Sequence, residues 1–582
     1  MDDGVDLIQV SSASFKVPSL GEIDGLCFDG KTCQYLGIPY ASIPGRFRRP
    51  QPAPVPWPGE KWDGTKFGPH HPQPPRDFYP IPVPHRPWVE NPPTSEKDCL
   101  NLNISVPYPP NSKEITKPLP VMVFLHGGAF TYAAGSAGMY DGRVLADISR
   151  EENSPTIIIS MNYRLGVLGF LASEEIRAYN KAHGEEGVGN YGLWDQVEAL
   201  RWVQKYISAF GGDPTKVTLF GQSAGGGKST APLTTPFQGT PNNISFFAVS
   251  INAHLLRGEP LFSSAILQSG LLPLCGIMSV QQYQVLYEKT LKRLEIPEDL
   301  PPEARLTHLL NTPEATLTAS MPDVFLTPVI TMALCDDYTF LPNQPMPSYS
   351  HLRNFHTPPW CPRLMIGDAK NECIIWNKAY RHLTTPPTTL QSYILSLPNP
   401  SANQTLLSLY NLTNQTLTPD ETFTLLETFT TDALYLSPNH DLQLSNPSQT
   451  LAYHFDEPSP YPNEWHGLAH HSLDNVFIWN VLRHTLPLTQ QIQARRMAKF
   501  WLQFAGGGQP WVPFGMEKRV MVFGGGEAEV KTVEEDKGRG YERWGRIREL
   551  GLVEEWGRLA DEICIRRSEL VDPLVGLGAM VV

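Results

Sequence analysis

Ser223 stands in Gly221-Gln222-Ser223-Ala224-Gly225, directly after a short apolar run from Lys216. A serine hydroxyl is a weak nucleophile at its own pKa. To attack a carbonyl it needs a base to take its proton, a group to orient that base, and N–H donors for the negative oxygen that forms. G-x-S-x-G is the spacing of a serine on a tight strand-to-helix turn, with glycines where a Cβ would clash. Its hydroxyl then projects from the carboxyl end of a sheet. Donors are available in Leu125 to Phe130, reading LHGGAF, which closes the apolar run that begins at Leu119. Gly127 and Gly128 are expected to turn backbone N–H groups toward one point, and the amide of Ala224 completes an oxyanion hole.

These residues need elements to hold them, and the chain alternates accordingly. Leu119 to His126, Thr156 to Tyr163, Lys216 to Gly221, Ser263 to Gly270 and Arg363 to Gly367 read as buried strands. Glu198 to Phe210 reads as an amphipathic helix and Gln493 to Ala505 as a late one. Such alternation predicts an α/β fold with a large, mostly parallel sheet and helices on both faces. Phe67 to Lys97, dense in proline and aromatics, is expected to form a lid-like surface loop. Gly524 to Arg539, rich in Gly, Glu and Lys, is expected to be mobile.

With 582 residues the chain exceeds an average domain, but α/β sheets accept insertions. Residues 1–582 are therefore read as one domain, with 515–582 as a C-terminal extension. Forty-six basic against 59 acidic side chains leave a net charge of −13. No basic stripe offers itself to a nucleic acid. No stretch has 18 apolar residues, so no transmembrane segment is expected. The first residues, MDDGVDLIQV, lack the basic start and apolar run of a signal peptide, which predicts a cytoplasmic location. The eight cysteines show no CxxC pair and no metal-ligand spacing, as for free thiols in a reducing compartment. No metal or other cofactor is implied, and oligomeric state leaves no signal.

Longer segments carry a resemblance. DCLNLNI (Asp98 to Ile104), FLHGGAF (Phe124 to Phe130), NYRLGVLGF (Asn162 to Phe170), GNYGLWDQ (Gly189 to Gln196), AFGGDPTKVTLFGQSAGG (Ala209 to Gly226) and AILQSG (Ala265 to Gly270) are ordered and spaced as in the type-B carboxylesterases. The chain resembles that family, which includes cholinesterases and large fungal lipases, from about Gly25 to about Phe514. The resemblance implies an α/β-hydrolase fold and a serine hydrolase that cleaves small-molecule carboxylic esters through an acyl-enzyme, without a cofactor. It also implies a Ser-Glu-His triad in that chain order. IGDAKNEC (Ile366 to Cys373) resembles the segment bearing the acid, which points to Glu372, with Asp368 its rival in the same loop. GLAHHSLDNVF (Gly467 to Phe477) resembles the histidine loop; His471, with Asp474 three residues on, is favoured over the adjacent His470. Two other readings stand beside this one: a lipase with a mobile lid, and a non-catalytic binding protein of the kind some relatives have become.

The chain also departs from the family. Gln222 stands where a glutamate is usual, which predicts tuning rather than loss. Cys99 matches a disulfide cysteine, but the partner site in FGPHHPQ (Phe67 to Gln73) holds histidine, so the lid loop is expected to lack that staple. Lys97 stands where the family has a glutamate paired with the arginine matched by Arg164, so that buried pair is expected to change. Twenty-two residues, Gly227 to Ala248, interrupt the elbow helix, and Pro232, Pro236 and Pro241 fit poorly inside a helix. Joining Gly226 to Val249 restores the family pattern. Codons for Gly227-Lys228-Ser229 and for Phe246 to Val249 accommodate splice signals, so the segment reads as a retained in-frame intron or a loop insertion. Gly225 to Thr230 only mimics a phosphate-binding loop, because Gln222 occupies the position of its first glycine.

Overall fold

In the run Leu119–Leu125, Val121, Val123 and Leu125 enter one apolar core while Met122 and Phe124 enter another. The same period of two recurs in Gly212–Gln222, where Val217 and Leu219 oppose Phe220. Strands buried on both faces belong in the middle of a sheet covered on each side by helices. The computed structural model describes residues 9–74, 81–82, 92–110, 112–223, 250–270, 277–324, 332–340, 349–377 and 387–565, and it has that architecture.

In chain order the strands of the main sheet are β1 (Val10–Val17), β2 (Gly21–Phe28), β3 (Thr32–Pro39), β4 (Lys61–Asp63), β5 (Asn101–Val106), β6 (Leu119–Leu125), β7 (Ile157–Met161), β8 (Gly212–Gln222), β9 (Ser264–Gln268), β10 (Arg363–Ala369), β11 (Thr450–Phe455), β12 (Arg519–Gly524) and β13 (Glu527–Thr532). They lie side by side as β1-β2-β3-β5-β7-β6-β8-β9-β10-β11-β12-β13, with β4 beside β2. From β7 to β12 every neighbour is parallel, and the margins are antiparallel except that β4 runs parallel to β2. The parallel register sets Gly221 opposite Leu125 and Leu267, Gln268 opposite Gly367, and Asp368 opposite His454. The carboxyl ends of β6, β8 and β10 therefore open on one edge.

Helices that matter below are α1 (Tyr191–Tyr206), α2 (Ser250–Arg257), α3 (Pro419–Thr431), α4 (Ser437–Ser445), α5 (Asp474–Trp479), α6 (Leu488–Ala505), α7 (Tyr541–Glu549) and α8 (Val553–Ile565). The helix expected at Glu198 begins seven residues earlier and ends in a 3-10 turn, Ile207–Phe210. No described helix is long and apolar enough to cross a membrane.

Two expectations need correction. Gly524 to Arg539 is not a mobile loop: Glu527–Thr532 is an edge strand paired with β12. Gly525 and Gly526, at φ +64° and +80°, supply the two-residue turn that a tight hairpin requires. Its Glu and Lys residues are the charges that blunt an exposed edge. Nor are all thiols free: the β2–β3 hairpin sets Cys27 opposite Cys33, and the two form a disulfide. Arg164 is buried against Asp195 of α1, which accepts from its Nε and Nη2 at 2.8 and 2.6 Å. Glu96, one residue before Lys97, pairs instead with Arg46. Cys99 is free and buried. Residues 75–80 and 83–91 of the lid-like loop lie outside the described residues, as do residues 227–248 and Cys275; at the loop's base His70 bridges Thr94.

Candidate active site

The end of β8 delivers Ser223 in a left-handed conformation, φ +55°, which is strained for a residue with a Cβ. The surroundings hold it there. Ser223 N–H donates to the Gln268 carbonyl at 3.0 Å, and a Cβ on Gly221 would sit 2.9 Å from the Leu125 oxygen. The turn after β6 lies against the serine. A Cβ on Gly127 would meet the Gln222 oxygen at 2.5 Å and the Ser223 Cβ at 3.0 Å, so only glycine permits this approach. Gly128, Ala129 and Phe130 follow at φ +106°, +60° and +53°, which swings the backbone away from the strand direction. Among the described residues the amides of Gly127, Gly128 and Ala129 donate to no protein acceptor. Ala129 is a candidate donor that sequence reasoning passed over, because a methyl side chain signals nothing about its backbone. Ala224 lies outside the described residues.

His471 and Glu372 meet from two loops, 99 residues apart in sequence. His471 Nδ1 is 2.5 Å from Glu372 Oε2. The other carboxylate oxygen accepts from the Ala369 amide at 2.7 Å. Both side chains are buried. The loops are tied by a bridge between Asn371 and His470, by Asn371 N–H to the Ala469 oxygen, and by Ala469 N–H to Asn371 Oδ1. On its far side the imidazole receives Gln222: the two Nε2 atoms are 3.0 Å apart. An amide NH₂ only donates, so His471 Nε2 is the acceptor and Nδ1–H donates to Glu372. That is the tautomer a general base for Ser223 needs. The structure thus brings Glu372, His471 and Gln222 together; Ser223 is the next residue, and the Nε2 contact is with the Gln222 amide rather than Ser223 Oγ. Tyr435 packs edge-on against His471, ring centroids 5.7 Å apart, from a single π-helical turn, Asp432–Leu436. Such turns recur at functional sites.

The rival residues are engaged elsewhere. His470 Nδ1–H donates to the His471 carbonyl at 2.9 Å, the ring packs on Trp465, and burial pushes its pKa down to about 4. Asp368 holds His454 Nδ1 at 2.6 Å and Asn439 Nδ2 at 2.8 Å. Asp474 opens α5, where its Oδ2 accepts from Gln268 Nε2 at 3.1 Å; burial raises its pKa to about 6.

Comparison with known proteins gives the family and the fold. Residues 14–521 match the model of the carboxylesterase family. A para-nitrobenzyl esterase of Bacillus subtilis (strain 168) is 41% identical over 219 residues, a match spanning 37% of this chain and 39% of that protein. A solved PNB esterase structure superposes with a TM-score of 0.66 at 25% identity, over 92% of this chain and all of that one. The Geobacillus stearothermophilus carboxylesterase EST55 gives 0.66 at 26% identity, over 91% and 99%.

Proposed function

This chain belongs to the carboxylesterase family, and on that premise we propose that Ser223, His471 and Glu372 cleave small carboxylic esters through an acyl-enzyme. The observation that carries the proposal is the buried 2.5 Å contact between His471 and Glu372, with Ser223 adjoining the residue that touches the imidazole. His471 Nε2 leaves the Gln222 amide and takes the Ser223 proton. Ser223 Oγ bonds to the ester carbon, and the carbonyl oxygen takes the electron pair. Gly127, Gly128 and Ala224 amides hold that oxyanion, with Ala129 a further donor. The tetrahedral adduct collapses, the C–O bond to the alcohol breaks, and the imidazolium protonates the leaving oxygen. Water, deprotonated by the same imidazole, then releases the acid and restores Ser223. Glu372 keeps the imidazole in the required tautomer and offsets its charge.

A chromogenic butyrate ester tests the reading. Ser223→Ala and His471→Ala are each expected to lower kcat by at least about 10⁴-fold, and Glu372→Gln by a comparable factor. Turnover by Ser223→Ala at the parent rate would sink the proposal.

A further inference from the structure

The family match ends at residue 521, yet the chain beyond it reaches back to both halves of the dyad. One line of contacts ends at Glu372. Asp368 stands opposite His454 in the β10–β11 register, and its Oδ1 lies 2.6 Å from His454 Nδ1, both side chains buried. The next amide, of Ala369, is the donor that holds Glu372 Oε1, and Lys370 N–H is fixed by the Phe455 carbonyl, next after His454. His454 Nε2 in turn lies 2.9 Å from the Tyr541 hydroxyl, which also contacts Asp536 Oδ2 at 3.2 Å. Arg539 clamps that turn, donating to Asp536 from Nε and to Asp456 from both terminal nitrogens.

A second line ends at His471. Arg543 of α7 donates to Asp432 Oδ2 at 2.9 Å, and the Tyr410 hydroxyl donates to the same oxygen at 2.8 Å. Asp432 is the first residue of the π-helical turn that carries Tyr435 against the imidazole. A third tie adjoins the acid: Cys373, next after Glu372, and Cys564 of α8 are buried in the same apolar core. A C-terminal appendage serving only as a cover would need apolar contacts, such as those of Trp544 and Trp556. Polar and charged groups that converge on the strand end before Glu372 and on the turn packed against His471 do something more specific, since orienting groups must be held to a fraction of an ångström.

We propose that residues 533–565 are a positioning element for the catalytic dyad, with Tyr541 acting through His454 and Asp368 on Glu372, and Arg543 acting through Asp432 on the Tyr435 turn beside His471. The proposal rests on Glu372 and His471 having the roles assigned above. Tyr541 and Arg543 are positioning residues; neither touches substrate.

The test compares Tyr541→Phe, Arg543→Gln and their combination in the full chain, with thermal midpoints measured alongside turnover of para-nitrophenyl butyrate. Each single change is expected to lower kcat about fivefold and the pair about thirtyfold, with KM within about twofold, because substrate binding is untouched and only the reacting geometry loosens. His454→Asn keeps a donor for Asp368 and is expected to retain several-fold more kcat than His454→Leu. The idea is overturned if the double variant keeps the parent kcat, or if kcat falls only in step with the folded fraction. Glu372→Gln separates the two readings. If it abolishes turnover while the double variant is fully active, this inference alone fails; if Glu372→Gln is itself active, the triad assignment fails and this inference with it.

Discussion

His471 is held between two partners of opposite kind. Glu372 accepts from Nδ1, while the Gln222 amide occupies Nε2, the atom that receives the serine proton in the mechanism proposed above. A neutral amide can let go of Nε2 without separating charges, which a carboxylate in its place could not do as cheaply. Asp474, three residues on from His471, is a buried carboxyl with an altered ionisation. Burial raises its pKa from 3.8 to about 6. Below pH 3.8 the folded and unfolded chains both carry this proton. Between there and about 6 only the folded chain keeps it, so the stability it lends at low pH is lost as pH rises through that window, by up to about 3 kcal/mol. Asp474→Asn removes the titration. Its thermal midpoint relative to the parent is expected to climb between about pH 4 and pH 6 and then level off; a constant difference across that range would refute the assignment.

Elements place what single residues cannot. The turn after β6 approaches Ser223 only because Gly127 has no side chain, so Gly127→Ala must push its backbone away from the Gln222 oxygen. The expected loss is about 10²-fold in kcat, the scale of removing oxyanion donors, with the fold retained; an unchanged kcat would place the oxyanion elsewhere. How much of this was legible follows from distance in sequence. Ser223 and its glycines are a local turn, and local spacing is readable. Glu372 and His471 meet only because β10 and β11 run parallel and their loops join beyond the strand ends, so resemblance, not spacing, pointed to them. The Asp368–His454 pair depends on cross-strand register, which no single segment reveals. Composition misled at Gly524 to Arg539, where glycine and charge outweighed the alternation of Glu527–Thr532. The Cys27–Cys33 disulfide was missed because sequence spacing alone hides which residues of the β2–β3 hairpin stand opposite each other.

Across the whole molecule, one feature runs against the family pattern. After Ser223 the described chain resumes in α2, and Ile251 Cδ1 lies 3.5 Å from where a Cβ on Gly221 would be. The helix therefore docks on the end of β8 despite the intervening segment. We propose that residues 227–248 are dispensable for this docking. A chain lacking them is expected to hydrolyse a chromogenic ester at least as fast as the full chain; loss of activity on deletion would make the segment an integral part of the site.

The most direct test of the catalytic assignment is covalent. The full chain is reacted with a fluorophosphonate and the modified peptide is identified by mass spectrometry. The account requires one label per chain, on Ser223, absent from Ser223→Ala and markedly slowed in His471→Ala and Glu372→Gln. A label on another residue, or labelling of Ser223 at the parent rate without His471, would contradict it.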